Sequence, residues 1–222
     1  MLAADQLGSR TMTAPKAVLF DLDGTLIDTM QVFADVAAAV MVKHHGLDRA
    51  AARAAYLATS GIPFFQQLEA IVPGDHRNGA AAAEFERDKV IATAGIGADA
   101  PTLAALDALR GRGLRIGVCS NNFQDQVDQF VAHCTVTLDL ALGFGDGLAK
   151  GPPHFDRACT TFGCDRADLV FCGDSLADAE LALAAGIRFV ARLGTFDATA
   201  FAAVAPDAPA IAGIGELLEV FV

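Results

Sequence analysis

The chain alternates short apolar runs with segments in which apolar residues recur at helical spacing. The runs predict buried strands, and each ends at a polar residue or a glycine. They are AVLF before Asp21, LRIGVCS ending at Ser120, LDLALG ending near Gly143, LVFCGD ending at Asp174, and IRFVAR ending near Arg192. Helical spacing occupies 101–110, 122–133, 153–162 and 176–185. This alternation predicts an α/β fold with a parallel sheet that helices cover on both faces.

Residues 29–97 break the alternation, because they contain no convincing strand pattern. Helical patterns instead cover Met30–Lys43, Arg49–Thr59, Pro63–Val72 and Ala80–Ala94, with glycine and proline between them. The pattern predicts an inserted all-helical domain over 29–97 that can act as a lid. The α/β core would then consist of 16–28 and 98–222. We expect residues 1–15 to form a disordered tail, and Met12 is an alternative start that the sequence leaves open.

Carboxylates follow two of the predicted strands. Asp21 and Asp23 come after the first strand, and Asp174 ends a later one, with Asp178 four residues further on. Carboxyl ends of parallel strands line the ligand crevice of such sheets. Neighbouring carboxylates repel each other unless a cation or a proton lies between them, and an all-oxygen site suits Mg²⁺. The structural alternatives are a turn at Asp21–Thr25 and a helix cap in which Asp178 pairs with Ser175.

Two further segments are suited to binding an anion. Ser120 ends a strand just before a helical pattern, so its hydroxyl and the following N–H groups, beginning at Asn121, favour a phosphate. Lys150 precedes a helix that begins with prolines, and an ammonium there suits the same ligand. A plain helix cap at Ser120 and a solvated Lys150 are the alternatives.

Composition narrows the range of partners. The 222 residues carry a formal net charge of −11, which argues against nucleic acid or an anionic membrane as the main partner. Residues 1–14 lack the apolar core of a signal peptide, and no apolar run is long enough to span a bilayer. The five cysteines have no metal-type spacing, which predicts reduced thiols and a cytoplasmic protein. The sequence leaves the oligomeric state open.

Taken in order, four blocks resemble the haloacid dehalogenase (HAD) superfamily of hydrolases, in its helical-cap, phosphoglycolate phosphatase-like subclass. The blocks are Asp21-Leu22-Asp23-Gly24-Thr25, then Ser120-Asn121, then Lys150, then Gly173-Asp174-Ser175 with Asp178. The resemblance spans roughly 16–192. It implies a Rossmann-like core with an inserted helical cap, and a Mg²⁺-dependent phosphatase that acts on a small phosphorylated metabolite.

The resemblance also implies a role for each matched residue. Asp21 would be the nucleophile that forms an aspartyl-phosphate, and Asp23 the general acid and later the base. Mg²⁺ would be held by Asp21, by the backbone carbonyl of Asp23 and by Asp174, with Asp178 supporting the metal's water shell or Lys150. Ser120, the amide of Asn121 and Lys150 would hold the phosphate oxygens. In the cap, TSGIPFFQQL resembles a substrate-reading loop, which makes Gly61, Gln66 and Gln67 candidate substrate residues.

Two features qualify this resemblance. Family members that cleave carbon–halogen or carbon–phosphorus bonds lack the acid at the position of Asp23, so its presence favours phosphate esters. A sugar-phosphate mutase keeps the acid too, and mutase activity stays open. Many capped members have Lys-Pro-x-Pro, whereas this chain has Lys150-Gly151-Pro152-Pro153, so we expect a looser loop at Lys150.

Two alternatives come from other functional classes. A signalling receiver module also combines an acidic cluster, a phospho-accepting Asp, a hydroxyl and a lysine on a parallel sheet. The lid at 29–97 and the acid at Asp23 argue against it. A non-catalytic binding scaffold of the same fold is disfavoured, because every expected catalytic position is filled.

Overall fold

The computed structural model describes residues 10–222, which form two compact units. Among these residues, one unit contains 10–27 together with Gly97–Val222, and the other is Asp28–Ile96. These boundaries lie within one residue of the predicted limits of the helical insertion at 29–97.

The first unit is built on a parallel sheet in the order β3-β2-β1-β4-β5-β6. The strands are β1 (Ala17–Phe20), β2 (Arg115–Phe123), β3 (Leu140–Phe144), β4 (Leu169–Gly173), β5 (Arg188–Arg192) and β6 (Ala210–Ile211). Phe20 is paired with Val118 of β2 and with Cys172 of β4, so the residues after these three strands emerge at one edge of the sheet. The sheet confirms the predicted α/β class.

The second unit is helical and has its own apolar core. Its helices are α1 (Met30–His45), α2 (Arg49–Ala58), α3 (Phe64–Ile71) and α4 (Asn78–Ala92). The core of this unit is an aromatic cluster around Phe85, whose ring centroid lies 4.2 Å from that of Phe64, 5.7 Å from Tyr56 and 6.1 Å from Phe33. Burial of these rings stabilises four short helices that would be marginal in isolation.

Helices cover both faces of the sheet in the first unit. They are α5 (Ala100–Gly111), α6 (Gln124–His133), α7 (Pro152–Phe162), α8 (Leu176–Ala184), α9 (Ala198–Val204) and α10 (Leu217–Val220). Val18 and Phe20 of β1 pack into the core that contains residues of α5, α6 and α10, while Ala17 and Leu19 pack into the core that contains residues of α7, α8 and α9. Both faces of β1 are therefore buried, which explains its unbroken apolar sequence. Among the described residues, no helix combines the length and the apolar character needed to cross a membrane.

The structure differs from the sequence predictions in three places. Strand β2 continues to Phe123 instead of ending at Ser120, and its register against β3 shifts between Cys119 and Phe123. Helices α9 and α10 and strand β6 follow the last predicted strand and were not predicted from the sequence pattern. Residues 10–15 differ from the expected disordered tail, because the N–H of Met12 donates to the C=O of Val220 at 2.8 Å and the Met12 side chain packs on the core. The rest of the expected tail, residues 1–9, lies outside the described range.

The aromatic cluster makes a stability prediction for the helical unit. Phe85→Ala should lower its free energy of unfolding by about 3–5 kcal/mol, because the lost ring leaves a cavity between three other rings. Ile91→Ala, on the same helix and 75% exposed, should change stability by less than about 0.5 kcal/mol. Tyr56 is the chain's one tyrosine, and the chain has no tryptophan, so tyrosine fluorescence in a urea titration follows this unit. Equal losses in the two variants would contradict the assigned core.

Candidate active site

The carboxyl ends of β1, β2 and β4 bring three predicted site residues to one edge of the sheet. The N–H of Asp21 continues the ladder to β4 by donating to the C=O of Cys172 at 2.9 Å. Ser120 follows the β2 residues that pair with the end of β1, and Asp174 follows β4 directly. All three side chains are buried, at 2–5% exposure, so the edge is a polar site within the fold and not a solvated surface.

The ammonium of Lys150 lies between two buried carboxylates. Its Nζ is 2.9 Å from Oδ1 of Asp21 and 2.7 Å from Oδ1 of Asp178. Although burial opposes its charge, Asp178 and Asp21 together raise the pKa of Lys150, which keeps the ammonium charged. The predicted third block is therefore joined directly to the first and the fourth.

The same carboxylates form a cluster that could hold a metal ion. One ligand atom from each of Asp21, Asp174 and Asp178 lies within 4.8 Å of the others, and all three residues are buried. Burial raises the pKa of Asp21 well above its ordinary value, the neighbouring carboxylates add to the increase, and Lys150 opposes it. Burial and the charge of Asp178 raise the pKa of Asp174 to about 7. When all three acids are ionised, the one ammonium leaves two negative charges uncompensated, so the donor set fits a divalent cation with oxygen preference.

Each of the two carboxylates of the fourth block has a hydroxyl partner. Oδ2 of Asp178 accepts hydrogen bonds from Ser175 Oγ at 2.7 Å and from Ser175 N at 3.2 Å, while Ser175 Oγ accepts from Asp178 N at 3.1 Å. The capping alternative for Asp178 is thus realised, and Asp178 Oδ1 still reaches Lys150. The hydroxyl of Thr195, in the loop after β5, donates to Asp174 Oδ2.

Asp23 lies in the turn after β1, outside the three-carboxylate cluster. Its Oδ2 accepts a hydrogen bond from Asn122 Nδ2 at 2.5 Å. The hydroxyl of Ser120 accepts from the N–H of Asn122 at 3.1 Å, and Oδ1 of Asn121 accepts from the N–H of Lys150 at 3.4 Å. Asn122, the residue after the second block, therefore bonds to the first block, and Asn121 of the second block bonds to Lys150 of the third.

The loop at Lys150 explains the departure from Lys-Pro-x-Pro. Gly151 has φ 122° and ψ −149°, a conformation that proline cannot adopt because its ring holds φ near −65°. Pro152 then begins α7 at a position where its missing N–H costs no hydrogen bond. Lys150 reaches Asp21 and Asp178 by this different backbone path, so the expected looseness does not displace its ammonium.

The candidate substrate residues Gly61, Gln66 and Gln67 belong to the helical unit. Gln67 is buried at 3% exposure, and both ends of its amide are used within that unit: Oε1 accepts from Thr59 Oγ1 at 2.9 Å, and Nε2 donates to the C=O of Ile62 at 3.0 Å. Gln67 therefore holds the 59–62 loop in place, and its role as a substrate contact stays a prediction. Gln66 is exposed, and Gly61 adopts φ 97° in the same loop.

Sequence reasoning missed three side chains of this region, namely Asn122, Thr195 and His154. The SNN run pointed to Asn122 only as a neighbour of Ser120, and Thr195 lies in a loop without a recognisable pattern. His154 lies on α7, four residues after Lys150, and is fully buried. Its Nε2–H donates to the C=O of Gly143 at 3.1 Å, and its Nδ1 is buried without a hydrogen-bond partner. Its place on the buried face, beside Phe155, was the one signal available.

Comparison with known proteins identifies the family. The family model of haloacid dehalogenase-like hydrolases matches residues 15–186, so the chain belongs to that family. No curated protein matched the chain.

Solved structures share the fold at low sequence identity. A haloacid dehalogenase-like hydrolase from Bacteroides fragilis is 22% identical with a TM-score of 0.77, covering 91% of this chain and 99% of its own. A candidate phosphoglycolate phosphatase from Lactobacillus delbrueckii subsp. bulgaricus is 18% identical with a TM-score of 0.80, covering 94% and 99%. CbbY from Rhodobacter sphaeroides, in complex with xylulose-(1,5)bisphosphate, is 18% identical with a TM-score of 0.71, covering 94% and 100%.

The buried imidazole predicts a pH dependence of stability. Burial lowers the pKa of His154 to about 4, and the positive charge of Lys150 adds to the effect. A histidine in an unfolded chain has a pKa of about 6.5, so between pH 6.5 and pH 4 the unfolded state binds more protons than the folded state. The free energy of unfolding therefore falls as the pH drops through this range, by up to about 3 kcal/mol. Urea midpoints at pH 7 and pH 5 measure the loss. His154→Gln, which keeps a donor for Gly143, should remove this component; an unchanged pH dependence would contradict it.

Proposed function

We propose that this hydrolase is a Mg²⁺-dependent phosphatase that acts on a small phosphorylated metabolite through an aspartyl-phosphate. The observation that carries the proposal is the position of Asp21, a buried carboxylate at a strand end with Lys150 Nζ 2.9 Å from its Oδ1 and with Asp174 and Asp178 beside it. The second supporting feature is Asp23, two residues after Asp21 in the chain. Its side chain lies outside the metal cluster, so it is available to act as the general acid.

The acidic cluster supports a role in holding Mg²⁺. Asp21, Asp174 and the backbone carbonyl of Asp23 would hold the ion, with Asp178 contributing through its water shell or through Lys150. When bound, Mg²⁺ would neutralise charge on the phosphoryl oxygens and so favour attack by an anion. Burial raises the pKa values of the carboxyl groups, and the positive charge of the cation would lower them again.

The reaction would take place in two steps on the side chains of this protein. In the first, an oxygen of Asp21 attacks phosphorus, the phosphorus–oxygen bond to the substrate alcohol breaks, and Asp23 gives its proton to the departing oxygen. In the second, Asp23 takes a proton from water, the water oxygen attacks phosphorus, and the bond to Asp21 breaks to release phosphate. The carboxylate of Asp21 and the acid form of Asp23 are regenerated.

The phosphoryl oxygens would be held by the residues of the second and third blocks. Ser120 offers its hydroxyl, Asn121 its backbone N–H, and Lys150 its ammonium. The hydrogen bond from the N–H of Lys150 to the Asn121 side chain supports their action as a single site.

Membership of the hydrolase family over residues 15–186 favours an enzyme over a signalling receiver. Phosphomutase activity remains the alternative within the family, because it uses the same acid at Asp23. A soluble cytoplasmic enzyme acting on a metabolite agrees with the acidic composition of the chain.

The nucleophile can be tested by a single substitution. Asp21→Asn should lower kcat for p-nitrophenyl phosphate in the presence of Mg²⁺ by about 1,000-fold or more, because the amide cannot form the acyl phosphate. Asp28→Asn makes the same chemical change at an exposed acid of the following segment and should leave kcat within about twofold. The unmodified enzyme should lose activity in EDTA and regain it with Mg²⁺. Undiminished turnover by Asp21→Asn would reject the mechanism.

The acid role predicts a dependence on the leaving group. Asp23→Asn should lower kcat by about 100-fold or more for an alkyl phosphate, whose alkoxide needs a proton, and much less for p-nitrophenyl phosphate. Steady-state kinetics with the two substrates measure the ratio. Equal losses would show that Asp23 does not protonate the leaving group.

A further inference from the structure

We propose that Asn122 is the positioning residue for Asp23, and that its amide holds the Asp23 carboxyl group in the orientation from which the proton is transferred. The inference rests on the proposed phosphatase function and adds to it a residue that neither the motifs nor the family match assigns. It is carried by a side-chain contact between two segments 99 residues apart in the chain.

The chemistry of the contact determines which of the two groups donates the hydrogen bond. Asn122 Nδ2 lies 2.5 Å from Asp23 Oδ2, and an amide nitrogen has hydrogens to donate but no lone pair to accept with. Oδ2 must therefore be the acceptor in both protonation states. The contact can therefore persist through both protonation states and hold the carboxyl group in one orientation.

The backbone around Asn122 is held in an irregular conformation that places this amide. The regular register of β2 against β3 is interrupted between Cys119 and Phe123, and within this interruption the N–H of Asn122 donates to Ser120 Oγ at 3.1 Å. A side chain on Gly143 of β3 would put its Cβ 2.8 Å from the C=O oxygen of Asn122. The glycine therefore permits the close approach of β3 to this segment.

Gly143 is itself fixed on both sides. Its N–H donates to Gln124 Oε1 at 2.6 Å, and its C=O accepts from Nε2 of the buried His154 at 3.1 Å. The segment that carries Asn122 is thus attached to α6 and to α7, the helix that begins just after Lys150. A rigid support of this kind is what a positioning side chain requires.

The Asp23 side of the contact is also ordered. The turn after β1 is closed by the N–H of Gly24, which donates to the C=O of Ile27 at 2.7 Å, and by the N–H of Leu26, which donates to the C=O of Leu22 at 2.9 Å. The main chain at Asp23 is therefore set by the turn, and the amide of Asn122 sets the orientation of the carboxyl group. The proton would leave this oriented carboxyl group for the substrate oxygen in the first step and return to it from water in the second.

The kinetic test compares substrates that do and do not need the proton. Asn122→Leu keeps a similar side-chain size and removes the donor. It should lower kcat for an alkyl phosphate by about 10–100-fold, leave kcat for p-nitrophenyl phosphate within about threefold, and leave KM for both nearly unchanged. Asn122→Gln, which retains an amide, should recover part of the loss. Equal losses on the two substrates, or no loss on either, would overturn the inference.

A double substitution shows whether the effect passes through Asp23. In the Asp23→Asn background, Asn122→Leu should cause little further loss on the alkyl phosphate, because the group that it positions is already inactive. Losses that multiply would mean that Asn122 acts on something else. If the unmodified protein hydrolysed neither substrate, the proposed function would be wrong. If the unmodified protein is active and Asn122→Leu has the same kcat as the unmodified protein on both substrates, only the role of Asn122 is wrong.

A measurement without turnover completes the test. In a ¹H–¹⁵N spectrum the side-chain amide protons of Asn122, assigned by their loss in Asn122→Leu, should lie downfield of free amides and move in Asp23→Asn. An Asn122 amide that is insensitive to Asp23→Asn would overturn the positioning role whatever the activity.

Discussion

The ion pairs of Lys150 with Asp21 and Asp178 are the interaction on which the arrangement of the site depends. A buried ammonium and buried carboxylates are tolerated only when their geometry is good and their remaining bonds are satisfied. At 2.9 and 2.7 Å, Lys150 ties the end of β1 to the first turn of α8 from a loop that belongs to neither. One side chain thereby connects the parts of the chain that bring the acids together, and it offsets part of their mutual repulsion.

Every carboxylate of the site has a hydrogen-bonding partner from another position in the chain. Those partners are Lys150 for Asp21, Asn122 for Asp23, Thr195 for Asp174, and Ser175 and Lys150 for Asp178. Because each partner comes with a different loop or helix start, the orientation of the acids is set before a ligand arrives. Such fixed donors are what allow a site to stabilise charge as it develops. The donors that orient the acids are as much a part of the site as the acids themselves.

Much of this could be predicted from the sequence, and the remainder could not, for identifiable reasons. Asp21 and Asp174 follow uninterrupted apolar runs, so their place at strand ends follows from periodicity alone. Asn122 and Thr195 act through a register shift and a loop conformation, neither of which leaves a pattern in the sequence. The two-residue strand β6 is too short for a period to show. The hydrogen bonds of Gln67 could not be predicted either, because a glutamine beside a glycine turn gives the same sequence pattern whether its amide binds a ligand or its own loop.

The central position of β1 has a consequence for how the chain reaches its native state. Its partners, β2 and β4, begin about 100 and about 150 residues later in the chain, so the middle strand of the sheet is synthesised long before it can pair. Closing a loop of that length is slow compared with forming local contacts. The helices of Asp28–Ile96 bury their own aromatic core and need no distant partner. During synthesis the inserted unit can therefore fold first, while β1, which leads into Asp21, has not yet paired with its neighbours in the sheet.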